Sequence, residues 1–422
     1  MFHRSILPTL VDRARRHPIV SVVGPRQSGK TTLCTLAFPE KPVVRLESLR
    51  DQEQARSDPA AFLARFPSGA ILDEVQRAPE LFPELQVRVD TGARAGEWIL
   101  TGSQHFGLLA SISQSLAGRV SLLTLLPLTH DELGASAPAR LDAALFAGGY
   151  PKLHDKHLDP REWLADYVAT YIERDVRQVL KVVDLSTFQT FLRLAAGRVG
   201  QVLNLTSLGA DAGVTHPTAR EWVSVLEASF VAFRLQPWFR NVGKRLVKSP
   251  KLYFHDTGLL CHLLGIRTPE ELELHYLRGA IFENWVISEL VKANLNRGEV
   301  PMLHYYRDQS GREVDLTLDR PLDPVLVEIK SSQRSNPEFA APMDEVARLL
   351  ESGPQTFRSL RKLVVFAGDE PLTIDSVEFV PWRAAGRVLG AAWNAELDPL
   401  SPDGESHARS RTHAAWVSPR VA

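Results

Sequence analysis

The chain has 422 residues, 49 lysines and arginines against 50 aspartates and glutamates, and a formal net charge of −1. At roughly 150 residues per domain, this length predicts two or three domains, each with its own core. With 44% hydrophobic and 23% charged residues, 26 Gly and 28 Pro, the composition excludes wholesale disorder, a collagen-like repeat and a membrane bundle; the balanced charge excludes a histone-like polycation but leaves room for a local basic patch.

The N-terminal MFHRSILPTLVDRARRHP breaks its apolar run with charges before a signal-peptide core can form. No stretch reaches the ~18 uninterrupted apolar residues of a membrane span. Two cysteines, Cys34 and Cys261, are too few for a disulfide framework or a four-thiolate zinc site and read as buried thiols in a reducing compartment. The expectation is a cytoplasmic protein with no membrane partner.

Short apolar runs at 19–24, 43–48, 69–75, 97–103 and 121–128 alternate with charged, helix-permissive stretches. This strand–helix alternation predicts an α/β domain over 1–135, with a largely parallel sheet covered on both faces. The first run leads directly into Gly24-Pro25-Arg26-Gln27-Ser28-Gly29-Lys30-Thr31, followed by Thr32 and a helical segment. It matches G-x-x-x-x-G-K-(S/T) and predicts a phosphate-binding loop: its glycines would let successive backbone N–H groups and a helix N-terminus face phosphates, Lys30 would reach the β/γ-phosphates and Thr31 would ligate Mg²⁺. The run Ala70-Ile71-Leu72-Asp73-Glu74 ends in two carboxylates, Asp73 for Mg²⁺ and Glu74 to polarise the attacking water. Ser103, at the end of the fourth run, is a candidate sensor of the γ-phosphate. Arg119 is a candidate for stabilising the transferred phosphoryl group, in cis or on a neighbouring subunit. ATP and Mg²⁺ are the expected cofactors.

GPRQSGKTT, ILDEVQ, ILTGSQ, SLAGR, PL-x-x-x-E at 127–132, GGYP at 148–151 and YIERDVR at 171–177 resemble the prokaryotic AAA-type ATPases that carry a C-terminal domain of unassigned function. RNVGKRLVKSPKLYFHDTGL and GAIFENWVISEL extend the similarity, which covers roughly 1–385. The resemblance implies an AAA+ core of five parallel strands in which the strand of Ser103 separates that of Asp73 from the phosphate-loop strand. Arg174 and Arg177 share a helix face with nearby Asp175; contact with nucleotide across a subunit boundary and a salt-bridged structural helix explain them equally well.

Residues 136–190 read as a helical lid-like segment, with Leu164, Val168, Tyr171, Ile172 and Val176 near a 3.6-residue spacing. Over 191–260 the pattern is helix, Gly-containing turn, helix and two strands, a winged-helix-like segment with Thr206 and Thr215 as N-caps and Val214, Trp222, Val225 and Leu226 as its apolar face. Between Ala228 and His255 stand Arg234, Arg240, Lys244, Arg245, Lys248 and Lys251 with no acidic residue. Residues 204–251 are therefore a candidate duplex-DNA surface, with Thr215, Thr218 and Arg220 toward the major groove and Lys244, Arg245 and Lys248 on phosphates; packing against the ATPase or another subunit is the competing reading.

A second α/β pattern fills 261–385. In EVDLTL and PVLVEIK, Asp315, Glu328 and Lys330 would meet at one polar end if the strands pair, joined by Glu283 from the preceding helix. This resembles the PD-(D/E)xK nuclease core, which implies Asp315 and Glu328 as Mg²⁺ ligands, Lys330 as orienting the water and Glu283 as the helical carboxylate; Val314 stands where that pattern often has Pro. Residues 386–422 read as a disordered tail. Two functions remain open: a Mg²⁺-dependent ATPase acting on or regulated by DNA, or a nucleotide-dependent switch with slow hydrolysis and a non-catalytic nuclease-like domain, either of them as a homo-oligomer.

Overall fold

The computed structural model describes residues 2–103, 116–172, 185–238, 247–320, 322–352 and 357–394. The N-terminal sheet contains β1 (Ile19–Val23), β2 (Val43–Arg45), β3 (Ala70–Asp73), β4 (Trp98–Gly102) and β5 (Val120–Thr124) in the order β2-β3-β4-β1-β5, every neighbouring pair parallel. This is the expected order, with β4 between the Asp73 strand and the phosphate-loop strand. A parallel sheet needs cover on both faces, and successive side chains supply it. Ile19, Val23, Leu72 and Leu100 face one core, while Val20, Val22, Ile71 and Ile99 face another, closed by Leu10 and Ala14 of helix Leu7–Arg16 and by Leu33 and Cys34 of helix Lys30–Ala37. Cys34 and Cys261 are both free, buried thiols.

Helices Leu141–Ala147, Pro151–Lys156 and Pro160–Tyr167 follow, and the last relaxes into a wider π turn at Val168–Ile172. Helix Leu205–Asp211 is capped by Asn204, not Thr206: the Asn204 side chain accepts from Ser207 N at 3.0 Å. Thr215 caps helix His216–Ala228 as expected. Its Trp222 packs edge-on against Phe188 and Phe191.

The second sheet has eight strands in the order β12-β13-β11-β10-β9-β8-β6-β7. They are β6 (Ala232–Pro237), β7 (Lys251–Phe254), β8 (Leu303–Arg307), β9 (Glu313–Leu318), β10 (Val325–Lys330), β11 (Arg361–Phe366), β12 (Leu372–Ile374) and β13 (Val377–Pro381). Strands β8, β9 and β10 run antiparallel and β11 returns parallel to β10 after helix Ala341–Glu351. β6 pairs with β7 on one side and with β8 on the other. The boundary expected at 260/261 is therefore corrected: the hairpin after the helix pair does not stand alone as a wing, because its backbone groups complete the larger sheet. The tail expected from 386 is also corrected in its first part. Residues Ala385–Asn394 form a helix with Ala385 and Leu389 fully buried, so this segment has an apolar stripe to dock.

One face of each sheet shares a continuous core across the middle helices, and Met343, Val346 and Leu350 help cover the other face of the second sheet. Helix Arg278–Asn296 runs through this shared region. It is buried nearly all round, so its polar residues need partners inside the protein. Asn284 bonds both backbone groups of Phe254, while Lys292 donates to Glu289 and to Leu128 O. Among the described residues no helix is long and apolar enough to cross a membrane.

His255 lies in this region, 7% exposed, its ring stacked on Phe233 at 4.7 Å and its Nδ1 without a partner. Burial, helped by the charge of Lys292, pushes its pKa down to about 3. Between that value and the ordinary 6.5 the unfolded chain binds a proton that the folded chain does not, so stability falls as pH drops through this window. His255→Phe is expected to flatten that part of the stability–pH curve, measured by urea unfolding at stepped pH; an unchanged slope would show that the ring is not held neutral.

Candidate functional site

Gly24 follows β1 at φ +154°, and a Cβ there would stand 2.0 Å from Leu125 O, so only glycine fits. Gln27 at φ +61° and Gly29 at φ +93° complete the curl of the loop. Gly29 is the N-cap of helix Lys30–Ala37 and supplies no side-chain cap, leaving the first N–H groups open to an anion. Lys30 Nζ folds back onto Gly24 O at 3.0 Å and Pro25 O at 2.8 Å. Burial pushes its pKa down to about 8, against the opposing pull of Glu74 and Asp73.

Asp73 ends β3 beside the loop. Its Oδ1 accepts from Thr31 Oγ1 at 2.7 Å and from Thr101 Oγ1 in a short hydrogen bond. Glu74 is left-handed, φ +56°, which turns its backbone N–H to Thr101 Oγ1 and its carboxylate to Ser103 Oγ at 2.8 Å and Gln76 Nε2 at 2.5 Å. Lys30, Thr31, Asp73, Glu74 and Ser103 are thus brought together. Thr101 and Gln76 were not foreseen; Thr101 stands on β4 two residues before Ser103, which follows the strand, and the two-residue alternation of extended chain is the signal that could have found it. Hydroxyl and carboxylate oxygens at Thr31 and Asp73 are the hard donors that Mg²⁺ prefers.

A cleft of about 510 Å³ opens over the loop, lined by Arg26, Gln27, Gly29, Thr32 and Glu74 on one side and by Pro151, Lys152 and Asp155 on the other. The second wall is held from far along the chain. Asp256 caps helix Thr257–Leu263 through Leu259 N at 2.9 Å and also accepts from Gly149 N at 2.7 Å. A Cβ on Gly148 would lie 2.4 Å from that carboxylate. Asp256→Ala removes both charge-assisted bonds and is expected to cost roughly 2–4 kcal/mol, read from denaturant midpoints; a loss below about 0.5 kcal/mol would rule out this pinning role.

Arg119 lies elsewhere. It precedes β5, at the end of the sheet opposite the loop and so roughly 15 Å away, and it forms a two-pronged ion pair with Asp90 at 2.6 and 3.0 Å. Its role in cis is corrected by this placement. Arg174, Asp175 and Arg177 fall outside the described residues.

The basic stretch is also reduced. Lys251 is 2% exposed and bonds Glu283 Oε1 at 3.1 Å and Glu313 Oε1 at 2.6 Å. Arg234 pairs with Glu227; Arg240, Lys244 and Arg245 lie outside the described residues, and Lys248 is exposed. A uniform basic surface is therefore corrected: two of the six residues are neutralised by carboxylates distant in sequence or on the preceding helix.

In the second sheet, Asp315 and Glu328 face each other where β9 and β10 meet, and Asp315 Oδ2 accepts from Ile329 N at 2.9 Å. Lys330 Nζ donates to Glu328 Oε1 at 2.5 Å, while Glu328 Oε2 is buried without a partner. Burial raises the pKa of Glu328, reinforced by Asp315 and opposed by Lys330. Glu283 is brought alongside but is already held by Lys251 and by a short bond from Tyr253 OH; burial raises its pKa too, against the pull of Lys251. For Lys251, burial alone would lower the pKa, but Glu283, Asp315 and Glu313 prevail and raise it. Among the described residues no group of three or more His, Cys, Asp or Glu side chains is arranged to hold a metal ion.

Family models match an AAA domain at residues 16–134 and domains of unknown function at 138–270 (DUF8612) and 278–385 (DUF4143). An uncharacterized protein of Mycobacterium tuberculosis and one of Mycobacterium bovis are each 33% identical over 374 residues, covering 86% of this chain and 83% of the relative. Among solved structures, a Walker-type ATPase of Pyrococcus abyssi aligns at 14% identity over 61% of this chain and 94% of its own, with a TM-score of 0.42.

Proposed function

The chain belongs to the family of these two mycobacterial proteins and carries an AAA-type P-loop ATPase domain, and from that premise we propose that it is a Mg²⁺-dependent ATPase that acts on, or is regulated by, duplex DNA. The observation that carries the hydrolytic part is one cleft lined by Lys30, Thr31 and Glu74, with Asp73 hydrogen-bonded to Thr31. Lys30 would exchange its two loop carbonyls for phosphate oxygens, and Thr31 and Asp73 would hold Mg²⁺, which neutralises phosphate charge. Glu74 would polarise the attacking water, with Ser103 beside it to register the phosphate. The experiment is steady-state ATPase activity with and without duplex or single-stranded DNA, with Glu74→Gln as control. Strong stimulation by DNA supports the reading; a slow rate indifferent to DNA supports the switch. One observation favours that second reading: Glu74 Oε2 already accepts from both Ser103 and Gln76, which stabilises the carboxylate and weakens it as a base, although Oε1 is left to a water.

DNA contact rests on the helix–turn–helix pair, where Thr215 and Arg220 are exposed at the start of the second helix. Affinity that falls steeply with salt is the expected sign. The helix, three antiparallel strands, helix and parallel strand of the C-terminal part follow the order of a PD-(D/E)xK core. The unpartnered Glu328 oxygen beside Asp315 suits a divalent cation. If this site cleaves, Asp315→Ala abolishes Mg²⁺-dependent nicking and leaves ATPase activity intact; nicking that survives the substitution removes the nuclease reading.

A further inference from the structure

Arg4 belongs to none of the motifs, yet the residue is 8% exposed and each of its three guanidinium nitrogens donates a hydrogen bond. Nη1 donates to Ser28 O at 2.8 Å, Nη2 to Leu126 O at 2.7 Å and Nε to Glu132 Oε1 at 3.2 Å. Glu132 is fixed in turn by Ser5 N at 2.7 Å and Thr129 N at 2.9 Å, and Asn296 Nδ2 reaches it at 3.5 Å. The planar fork therefore has one orientation, set by an anchored carboxylate, with its two remaining arms on backbone oxygens.

The Ser28 oxygen belongs to the peptide that joins Ser28 to Gly29. A trans peptide carries its C=O and N–H on opposite sides, so holding this oxygen on Arg4 turns the Gly29 N–H away from Arg4. Gly29 has no Cβ and sits at φ +93°, so little else restrains the rotation of this peptide. We infer that Arg4 is a positioning residue for nucleotide phosphates: it holds the Ser28–Gly29 peptide in the orientation that presents its N–H to the anion. This rests on the ATP-binding reading of the cleft.

A salt bridge that served folding alone would be satisfied by any cation on Glu132. The two carbonyl contacts are what such a bridge does not need, and they separate the two roles. Lysine in place of Arg4 keeps the charge for Glu132 but, as a single ammonium, does not span Ser28 O and Leu126 O together. The double variant Arg4→Gln/Glu132→Gln loses the fork without leaving a buried charge unpaired.

The test is equilibrium binding of ADP and AMP to the full chain, with KM and kcat for ATP and a melting temperature for each variant. Arg4→Lys and the double variant are expected to bind ADP about tenfold or more weakly, with a smaller loss for AMP and a KM that rises more than kcat falls. Glu132→Gln loosens the fork but keeps the guanidinium that reaches both carbonyls, and is expected to lose less ADP affinity than either Arg4 variant. Wild-type ADP affinity in both Arg4 variants, or an equal loss in Glu132→Gln, overturns the inference. If Arg4→Lys does not fold, the double variant decides. Failure of the wild-type chain to bind any nucleotide brings down the ATPase reading as well, whereas normal wild-type binding with unaffected Arg4 variants brings down only this one.

Discussion

Glu74→Gln is expected to lower ATP turnover by about 10²–10⁴-fold, the usual span of a general-base contribution, while ATP binding changes little. The amide keeps the size of the side chain and still offers Ser103 an oxygen to donate to, so the local hydrogen bonding survives with one partner rearranged. The lost property is basicity. On the proposed reading the phosphates are held by the loop and Lys30, which Glu74 reaches through its charge and not through a hydrogen bond, so affinity is expected to change far less than turnover. Single-turnover hydrolysis beside equilibrium nucleotide binding measures both. Unchanged hydrolysis would show that another group orients the water, and parallel loss of binding would show that Glu74 supports the loop.

Lys251→Met is expected to destabilise the protein by about 3–5 kcal/mol, the cost of leaving buried charge unpaired. Lys251 answers Glu283 and Glu313, with Asp315 close enough to add to its field. Without it, Glu283 keeps only the Tyr253 hydroxyl and must either protonate or repel Asp315. The deficit should therefore shrink as pH falls and the carboxylates become neutral, and Glu283→Gln in the same chain should recover part of it. Urea midpoints at two pH values give the answer. A loss below about 1 kcal/mol would mean that the carboxylates relax to solvent and that the site is looser than its geometry.

The N-terminal part was legible because its signals are local and strong. Buried parallel strands such as IVSVV and AILD are continuous apolar runs, and the loop between β1 and its helix needs particular residue types at particular places. Ser103, two residues on from Thr101, sits where strand periodicity puts it. Strands β8, β12 and β13 were not foreseen, because LHYYR and VEFVP carry mixed polarity and β12 has only three residues. Lys251 was misread for a physical reason: a lysine between a proline and a strand looks like surface, and only the distant Glu283 and Glu313 make its burial affordable. Arg4 was silent for the same reason, since its partners Ser28, Leu126 and Glu132 are remote in the chain. Arg119 was a candidate in cis or toward a neighbouring subunit; a parallel sheet sends the start of β5 to the edge away from the loop, which bears on the first alternative and not on the second. The C-terminal carboxylates were legible as a pair through the β9–β10 alternation, whereas the capture of Glu283 by Lys251 and Tyr253 depends on where β7 docks.

The position of β6 bears on how this chain can be inherited. Family boundaries fall between 270 and 278, across helix Pro269–Leu274 and the turn after it, outside any strand, which looks like a seam where modules could be recombined. Yet β6 lies upstream of that seam and is hydrogen-bonded to β8 downstream of it. A gene fragment beginning at 278 would encode a sheet whose β8 edge, with the apolar rings of Tyr305 and Tyr306, has lost its neighbour and is open to pairing with another copy. The helix pair with β6 and β7 is thus joined to the C-terminal part by backbone pairing at Gln236–His304 and Pro237–Tyr305. A cut at the seam would leave both strand edges unpaired, so exchanging one region without the other is expected to expose an edge in each half.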